Sequence, residues 1–441
     1  MIPSITDNHT RSTNRRRFLK AAGATGVAGF AGCLASGSEK TPPENETEGD
    51  GTVHGDSERP PSASTITLGG SMSLSGENAD LGLLYRDAYE LTINRINEAG
   101  GVEAGDGNTY TLDMILRDDE SDPSRSEAIY RELVAKEDVD YLLGPYSSSV
   151  TLPASEVAAE AHRPMVSGGG ASQEIHSQDN EWIFSLLPLA DTYSHTSIDM
   201  AMAQSEPPSS AAILVENDLF SQSSAEGDRR KLRSAGIDIV VDETFPSETS
   251  DLSTLLERVQ ESDADVLILN AHEEHAIIAA EGMARRNIDV DMAMATVGAL
   301  TDSFKEQTGA NGDYWYGPSP WASTVDSEDA VFGSTSEFIS AVNSEYGYDP
   351  DYHSAAGSAV VQTFQRAFAQ VDEVTPTAVR DAIRTVQFDS LYGPIQFDDQ
   401  RVIPRDMVVY QWQPDVGKQI VWPEGVRESD PIYPTPNWNE R

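Results

Sequence analysis

This chain of 441 residues is poor in cysteine, lysine and long apolar runs, and each shortage narrows what it does. Its one cysteine, Cys33, rules out a disulfide framework and leaves the rest of the chain without a thiol nucleophile. Beyond residue 63, lysine occurs only as Lys136, Lys231, Lys305 and Lys418, and 30 Lys plus Arg face 73 Asp plus Glu, a formal net charge of −43. Binding a polyanion requires a basic footprint, so nucleic acid is excluded as a partner. No segment after Cys33 has eighteen consecutive apolar residues, and no internal membrane span is expected. Walker, G-x-S-x-G and G-x-G-x-x-G loops are missing after the strand-like runs. In His272-Glu273-Glu274-His275 the histidines stand three positions apart where a zinc-binding helix needs four, so neither metal nor cofactor is expected. The acidic pair Asp118-Asp119 reads as structural, and catalysis is not expected.

What is present begins at the N-terminus. The basic run Arg15-Arg16-Arg17-Phe18-Leu19-Lys20, an Ala/Gly-rich stretch and Phe30-Ala31-Gly32-Cys33 mark residues 1–33 as a removable export leader, too short to span a bilayer. R-R-x-F-L-K resembles a twin-arginine signal, which exports folded cargo, and F-A-G-C resembles a lipobox, whose cysteine becomes the lipidated N-terminus. Residues 34–63 hold Ser, Glu, Gly and Pro with almost nothing to bury, so they are expected to form a disordered acidic tether. The chain is thus expected on the extracellular face of the cytoplasmic membrane, held by lipid on Cys33.

An excess of acid on this scale points to disorder or to brine. With 38% hydrophobic residues arranged periodically, the body can bury a large core, which favours a halophilic protein. In molar salt the screening length falls to roughly 3 Å, and a carboxylate coat keeps the surface hydrated at little repulsive cost.

From residue 64 onward, short β-rich runs alternate with helical stripes, the pattern of parallel sheets. Thr65 to Leu68 reads as a strand ending in a loop from Gly69 to Gly76, and Asp80 to Glu98 as a helix closed by Gly100-Gly101. Strands at 110–116, 140–143 and 164–167 and helices at 123–136 and 150–162 complete one doubly wound half. The alternation restarts with strands at 211–215, 238–245 and 266–269 and helices at 221–234, 252–261 and 273–286. Longer helices at 328–346, 352–370 and 376–385 precede a strand-like end at 394–397 and 407–412. The expected fold class is α/β: two doubly wound, Rossmann-like lobes with a ligand cleft where strand C-termini converge.

Five runs carry a family resemblance: Leu74-Ser75-Gly76 with Gly82; Ile96-Asn97-Glu98-Ala99-Gly100-Gly101-Val102; Arg117-Asp118-Asp119-Glu120-Ser121-Asp122-Pro123; Gly144-Pro145-Tyr146-Ser147-Ser148-Ser149; and Pro164-Met165-Val166-Ser167. In this order, behind a lipobox, the body resembles a branched-chain amino-acid-binding protein of an ABC importer, with the periplasmic-binding-protein type I fold, here as a haloarchaeal lipoprotein. The resemblance implies three crossings between lobes, placed near Leu187-Pro188, Gly317-Pro318 and Leu391-Gly393. Lobe 1 then spans 64–187 plus 318–391, and lobe 2 spans 188–317 plus 392–441. Implied partners are a small-molecule ligand, an amino acid or related carboxylate or amide, and the permease and ATPase subunits of a transporter. A sensory module of the same fold, passing occupancy to a receptor, is the alternative.

On chemistry alone, Ser147-Ser148-Ser149 opens a helix after a strand and offers hydroxyls and free amides suited to a carboxylate. Gly168-Gly169-Gly170-Ala171-Ser172 brings backbone donors close. The resemblance places the carboxylate-binding serine on Ser149, beside Ser148, with main-chain contacts at Gly169 and Gly170 and a hydroxyl at Ala171 or Ser172, of which only Ser172 has one. From the other lobe it places Phe220 and His272 against the ligand. Two positions depart from the family: Leu81 replaces an aromatic, and Val297 stands where a carboxylate holds the ligand's ammonium. A buried ammonium without a counter-charge costs several kcal/mol, so another acid is needed, Glu77, Glu216, Asp218 or Glu273, or the ligand lacks the amine.

Overall fold

The computed structural model describes residues 64–441; the leader with Cys33 and the tether lie outside the described residues. The first half of the chain builds one six-stranded sheet. Its strands are β1 (Thr65–Met72), β2 (Val102–Glu103), β3 (Thr109–Asp118), β4 (Tyr141–Leu143), β5 (Met165–Ser167) and β6 (Ile183–Ser185). They lie in the order β2-β3-β1-β4-β5-β6, and all neighbours but β2 and β3 run parallel. Helices α1 (Ala79–Glu98), α2 (Pro123–Lys136) and α3 (Ser148–Glu160) make the connections, with a short α4 (Gln173–Ser177) after β5. β1 runs four residues beyond its expected end because two glycines let neighbours press on the backbone. A Cβ on Gly69 would lie 2.7 Å from Val139, and one on Gly70 would lie 2.8 Å from the Leu143 carbonyl.

After α5 (His195–Met202) the winding repeats in a seven-stranded sheet. Here β7 (Ser210–Glu216), α6 (Leu219–Ala235), β8 (Asp238–Phe245), α7 (Ser253–Ser262), β9 (Val266–Asn270), α8 (Glu273–Arg286), β10 (Met292–Ala295), α9 (Asp302–Thr308) and β11 (Tyr316–Ser319) follow in turn. Strand order is β8-β7-β9-β10-β11, all parallel, extended by two antiparallel strands considered below. Helix ends follow local chemistry. Asp122 caps α2 ahead of Pro123, Asp218 caps α6 through the Phe220 and Ser221 amides, and Gly236 closes α6 at φ 79°.

The chain then returns to the first lobe. A small hairpin of β12 (Glu328–Asp329) and β13 (Gly333–Ser334) occupies what reads in sequence as the start of a long helix, and α10 (Thr335–Tyr346) begins only at the capping box of Ser334 and Glu337. Next come α11 (Tyr352–Phe368) and α12 (Pro376–Thr385). α11 is buried along nearly its whole length, and Phe364 and Phe368 join Tyr85, Tyr89 and Tyr141 in the largest core. At about 1.5–3 kcal/mol for each large apolar side chain, that core dominates the lobe's stability.

A hairpin of β14 (Phe388–Ser390) and β15 (Gly393–Ile395) follows, and the last strands β16 (Val408–Gln413) and β17 (Gly417–Trp422) pair with β11 in the second sheet. Residues 392–407, expected in the second lobe, pack on the first. Ile395, Phe397, Ile403 and Met407 belong to the first lobe's core, and the Ile403 N–H donates to the Ser185 carbonyl at 3.1 Å. The last passage between lobes therefore falls at Met407–Val408 and not near Leu391-Gly393, because Phe397 finds its partner ring, Phe184, under the first sheet. Among the described residues no helix is long and apolar enough to cross a membrane.

Candidate functional site

Both sheets wind in the same sense, so the loops after β1, β4 and β5 face those after β7, β9 and β10, and the strand C-termini of the lobes converge on one cleft. On the first lobe, Asp118 and Asp119 hold the loop after β1. Asp118 accepts from the Leu74, Ser75 and Glu120 amides, and buried Asp119 accepts from the Ser71 (2.7 Å) and Ser73 (2.8 Å) hydroxyls. Burial pushes Asp119 up to about 6. Ser73 Oγ also lies 2.8 Å from the Tyr146 carbonyl, which ties the paired acids to the serine loop.

That loop presents Ser148 at the N-terminus of α3. Its hydroxyl accepts from the Ala171 (3.0 Å) and Ser172 (3.1 Å) amides, and the Gly169 (3.2 Å) and Gly170 (3.1 Å) amides donate to Ser167 Oγ, so all four amides of the glycine loop are engaged. The glycines are required by close approach. A Cβ on Gly169 would lie 2.4 Å from the Pro145 carbonyl, and one on Gly170 would lie 2.7 Å from Thr151.

The second lobe contributes charge. His272 is 7% exposed; its Nδ1 lies 2.9 Å from Tyr146 Oη of the first lobe and its Nε2 3.6 Å from Asp218 Oδ1. Burial opposes its charge, but the hydrogen bond and charge of Asp218, with Glu216 and Glu77, outweigh burial and lift it to about 9. It is therefore an imidazolium at neutral pH, and Nδ1–H donates to Tyr146. Glu216 accepts from the His272 N–H (3.1 Å) and pairs with His275 Nδ1 (3.0 Å). Burial would raise Glu216 and Asp218, yet His275 and His272 hold Glu216, and His272 with Ser221 holds Asp218, below the usual carboxylate range.

Aromatic rings line the space between. Tyr146, Tyr193, Phe220, His272 and Tyr352 surround a tight cavity of about 10 Å³, the space of about one water, together with Ser147, Ser148, Gly169, Ala171, Leu187 and Val297. Phe220 packs edge-on to Tyr193 (5.1 Å between centroids) and tilted to His272 (5.7 Å). The lobes meet directly: besides Tyr146 and His272, the Leu219 N–H donates to Ser149 Oγ (3.3 Å) and the Gln173 N–H to Ser223 Oγ (3.4 Å). Outside this cavity lies a wider cleft of about 440 Å³ between residues 76–81 and residues of α8 and α9.

Of the residues singled out in the sequence, the structure brings Ser148, Gly169, Ala171, Phe220, His272 and Val297 together around one cavity. Ser149 points its hydroxyl at the start of α6 instead, one residue further along the α3 turn. Gly170 lies behind the wall with its carbonyl bonded by Ser185, and Ser172 caps α4. Leu81 lines the outer cleft. Tyr146, Tyr193, Tyr352 and Leu187 line the cavity too, although the sequence had not marked them as site residues. Only Tyr146 had a local signal, its place between Gly144-Pro145 and the serines. Among the described residues no group of three His, Cys, Asp or Glu forms a metal-binding cluster.

Two wound lobes, a shared cleft and opposed polar loops define a two-lobed binding protein. The family model described as "Periplasmic binding protein" matches residues 65–418, and the chain belongs to that family, with the type I fold. It is similar to the Leu/Ile/Val-binding protein homolog 7 of Brucella melitensis biotype 1, 24% identical over 399 residues that cover 84% of this chain and 94% of the relative. Among solved structures it resembles the leucine-binding protein LivK of Thermotoga maritima (TM-score 0.72, 15% identity, 79% and 96% of the two chains). It also resembles LivJ of Streptococcus pneumoniae in complex with isoleucine (0.69, 19%, 81% and 100%). A third neighbour is an ABC transporter solute-binding protein of R. palustris in complex with benzoate (0.70, 17%, 80% and 96%).

Proposed function

We propose that this protein is the solute-capturing subunit of an ABC importer. It is lipid-anchored through Cys33 after twin-arginine export, closes its lobes on a small organic solute and presents that closed state to a permease and its ATPases. The solute is an amino acid or a related carboxylate or amide. The observation that carries this reading is the meeting of Ser148 with the His272–Tyr146 pair across a cavity built by both lobes. The Ser148 hydroxyl, which accepts two amides and keeps its own proton to donate, and the His272 imidazolium together suit an anionic head group. Val297 and the aromatic walls suit an apolar body. The acids deepest in the site are already engaged, Glu216 with His275 and Asp218 with His272, so the inner cavity answers a carboxylate and not an ammonium.

Binding serves as the signal, because a ligand that contacts both lobes stabilises the closed state by its extra contacts there. No step of this requires turnover. Mass spectrometry of what co-purifies with the full chain, followed by calorimetry of amino acids, amides and short or aromatic carboxylates in high salt, tests the reading. Saturable binding without product formation supports it. Release of an altered product, or saturable binding that Ser148→Ala leaves unchanged, counts against it.

A further inference from the structure

The rings around the inner cavity are held from behind. On the first lobe Tyr146 stacks on Tyr85 (5.8 Å between centroids, 28° between planes), and Tyr352 stacks on His353 (3.8 Å, 28°), whose Nδ1 lies 2.8 Å from Asp351 Oδ2. On the second lobe Phe220 meets Tyr193 edge-on at 79°, and across the seam His272 meets Tyr146 edge-on at 84°. The lobes touch, so the cavity has space for about one water and a guest enters by parting them. A flat ring asks for the least parting. It needs about 3.5–4 Å, the contact spacing of carbon atoms, and it replaces ring-to-ring contacts by others of the same kind. A branched aliphatic body is thicker and gains no such contact.

Polar groups select the rest of the guest. Among the described residues lining the cavity no side chain is acidic. The nearest acids stand behind His272: Glu216 accepts from its N–H and pairs with His275, and Asp218 caps α6 while facing the His272 ring. Asp218 Oδ2 is buried without a partner, yet Asp218 does not line the cavity. A second polar group does reach the wall. Tyr193 is 1% exposed, and its hydroxyl has no hydrogen-bond partner. Buried hydroxyls are ordinarily paired, so this one lacks a partner that a guest can supply. We infer that the solute is an aromatic carboxylate without an α-amine, its carboxylate at Ser148 and His272, its ring among Tyr146, Tyr352 and Phe220, and a polar ring substituent at Tyr193. This inference rests on the solute-capturing role proposed above and names the class of solute.

Calorimetry of the full chain in molar salt with matched probes tests it. Benzoate should bind at least about fivefold more tightly than cyclohexanecarboxylate, which has the same carbons and charge but a puckered body without a π face. Phenylacetate should bind at least about tenfold more tightly than phenylglycine, from which it differs by the α-amine alone. The tighter of 3- and 4-hydroxybenzoate should exceed benzoate by about threefold or more. Tyr193→Phe should erase that gain and melt no lower than wild type, because the hydroxyl it removes has no partner in the protein. Equal or reversed affinity within either of the first two pairs overturns the class, and a hydroxyl gain that is absent, or that Tyr193→Phe leaves intact, overturns the seat at Tyr193. If no aromatic probe binds while a co-purifying aliphatic solute binds saturably and loses affinity in Ser148→Ala, the class falls and the capturing role stands. If neither the probes nor any co-purifying solute binds, the capturing role falls as well.

Discussion

The two walls of the cleft are made of different materials. The first lobe offers hydroxyls and amides, Ser148 with the 169–172 loop, and needs only close-packed glycines to place them. The second lobe offers buried ions, His272 between Asp218 and Glu216, with His275 behind. A neutral wall works at any pH and tolerates the loss of one group. A charged wall is stronger but couples the site to protons and to its own partners, because removing one ion leaves another buried and unpaired.

The sharpest way to break this contrast is to remove the central ion. His272→Ala should destabilise the protein by about 3–5 kcal/mol, the usual consequence of stripping a partner from a buried charge, and chemical denaturation will show it. Next in size, Gly227→Ala tests the packing behind the charged wall. A Cβ there would lie 1.8 Å from the Asp191 carbonyl, so a loss of about 3 kcal/mol is expected from the same measurement. On the neutral wall, Ser148→Ala should weaken solute binding by about 1–3 kcal/mol and also lower melting, because the Ala171 and Ser172 amides lose their acceptor. Ser149→Ala, which removes a single 3.3 Å bond from Leu219, should cost under about 1 kcal/mol. Calorimetry of the two variants side by side decides which serine faces the solute.

The charged wall also makes stability depend on pH. His272 is raised from 6.5 to about 9, so its contribution is fully present below about pH 6.5 and is lost as pH rises to about 9. Glu273, raised from 4.5 to about 7, has the same sign, its contribution disappearing between those values. Melting should therefore fall as pH rises from 4.5 to 9, and His272→Gln should flatten the upper half of that slope. All of these measurements belong in high salt. The acid coat predicts melting that climbs between low and molar salt, and a flat response would contradict a halophilic surface.

Much of the architecture was legible because the parallel strands are short apolar runs separated by amphipathic helices. β8, α8 and α12 fall on the residues that periodicity indicates. β17, α9 and the hairpin at 328–334 escaped, since an edge strand such as Gly417–Trp422 and a two-residue pairing carry little pattern of their own. The site was half legible. Glycine loops and serines announce themselves locally, whereas His272 and Val297 were reached only through the family resemblance. The tyrosines around them did not, because Tyr146, Tyr193 and Tyr352 come from three separated segments and only tertiary packing brings them beside Phe220, which the resemblance had placed. The one-residue choice between Ser148 and Ser149 turned on the rotation of the first turn of α3, which spacing to Pro153 does not fix.

The late return of residues 335–407 to the first lobe governs how the protein is made. α11 fills the middle of a core whose other half comes from β1 and α1, so the earliest segment off the ribosome waits for nearly the whole message before it finds its mate. A messenger truncated around residue 330 would forfeit the opening lobe as well as the closing one.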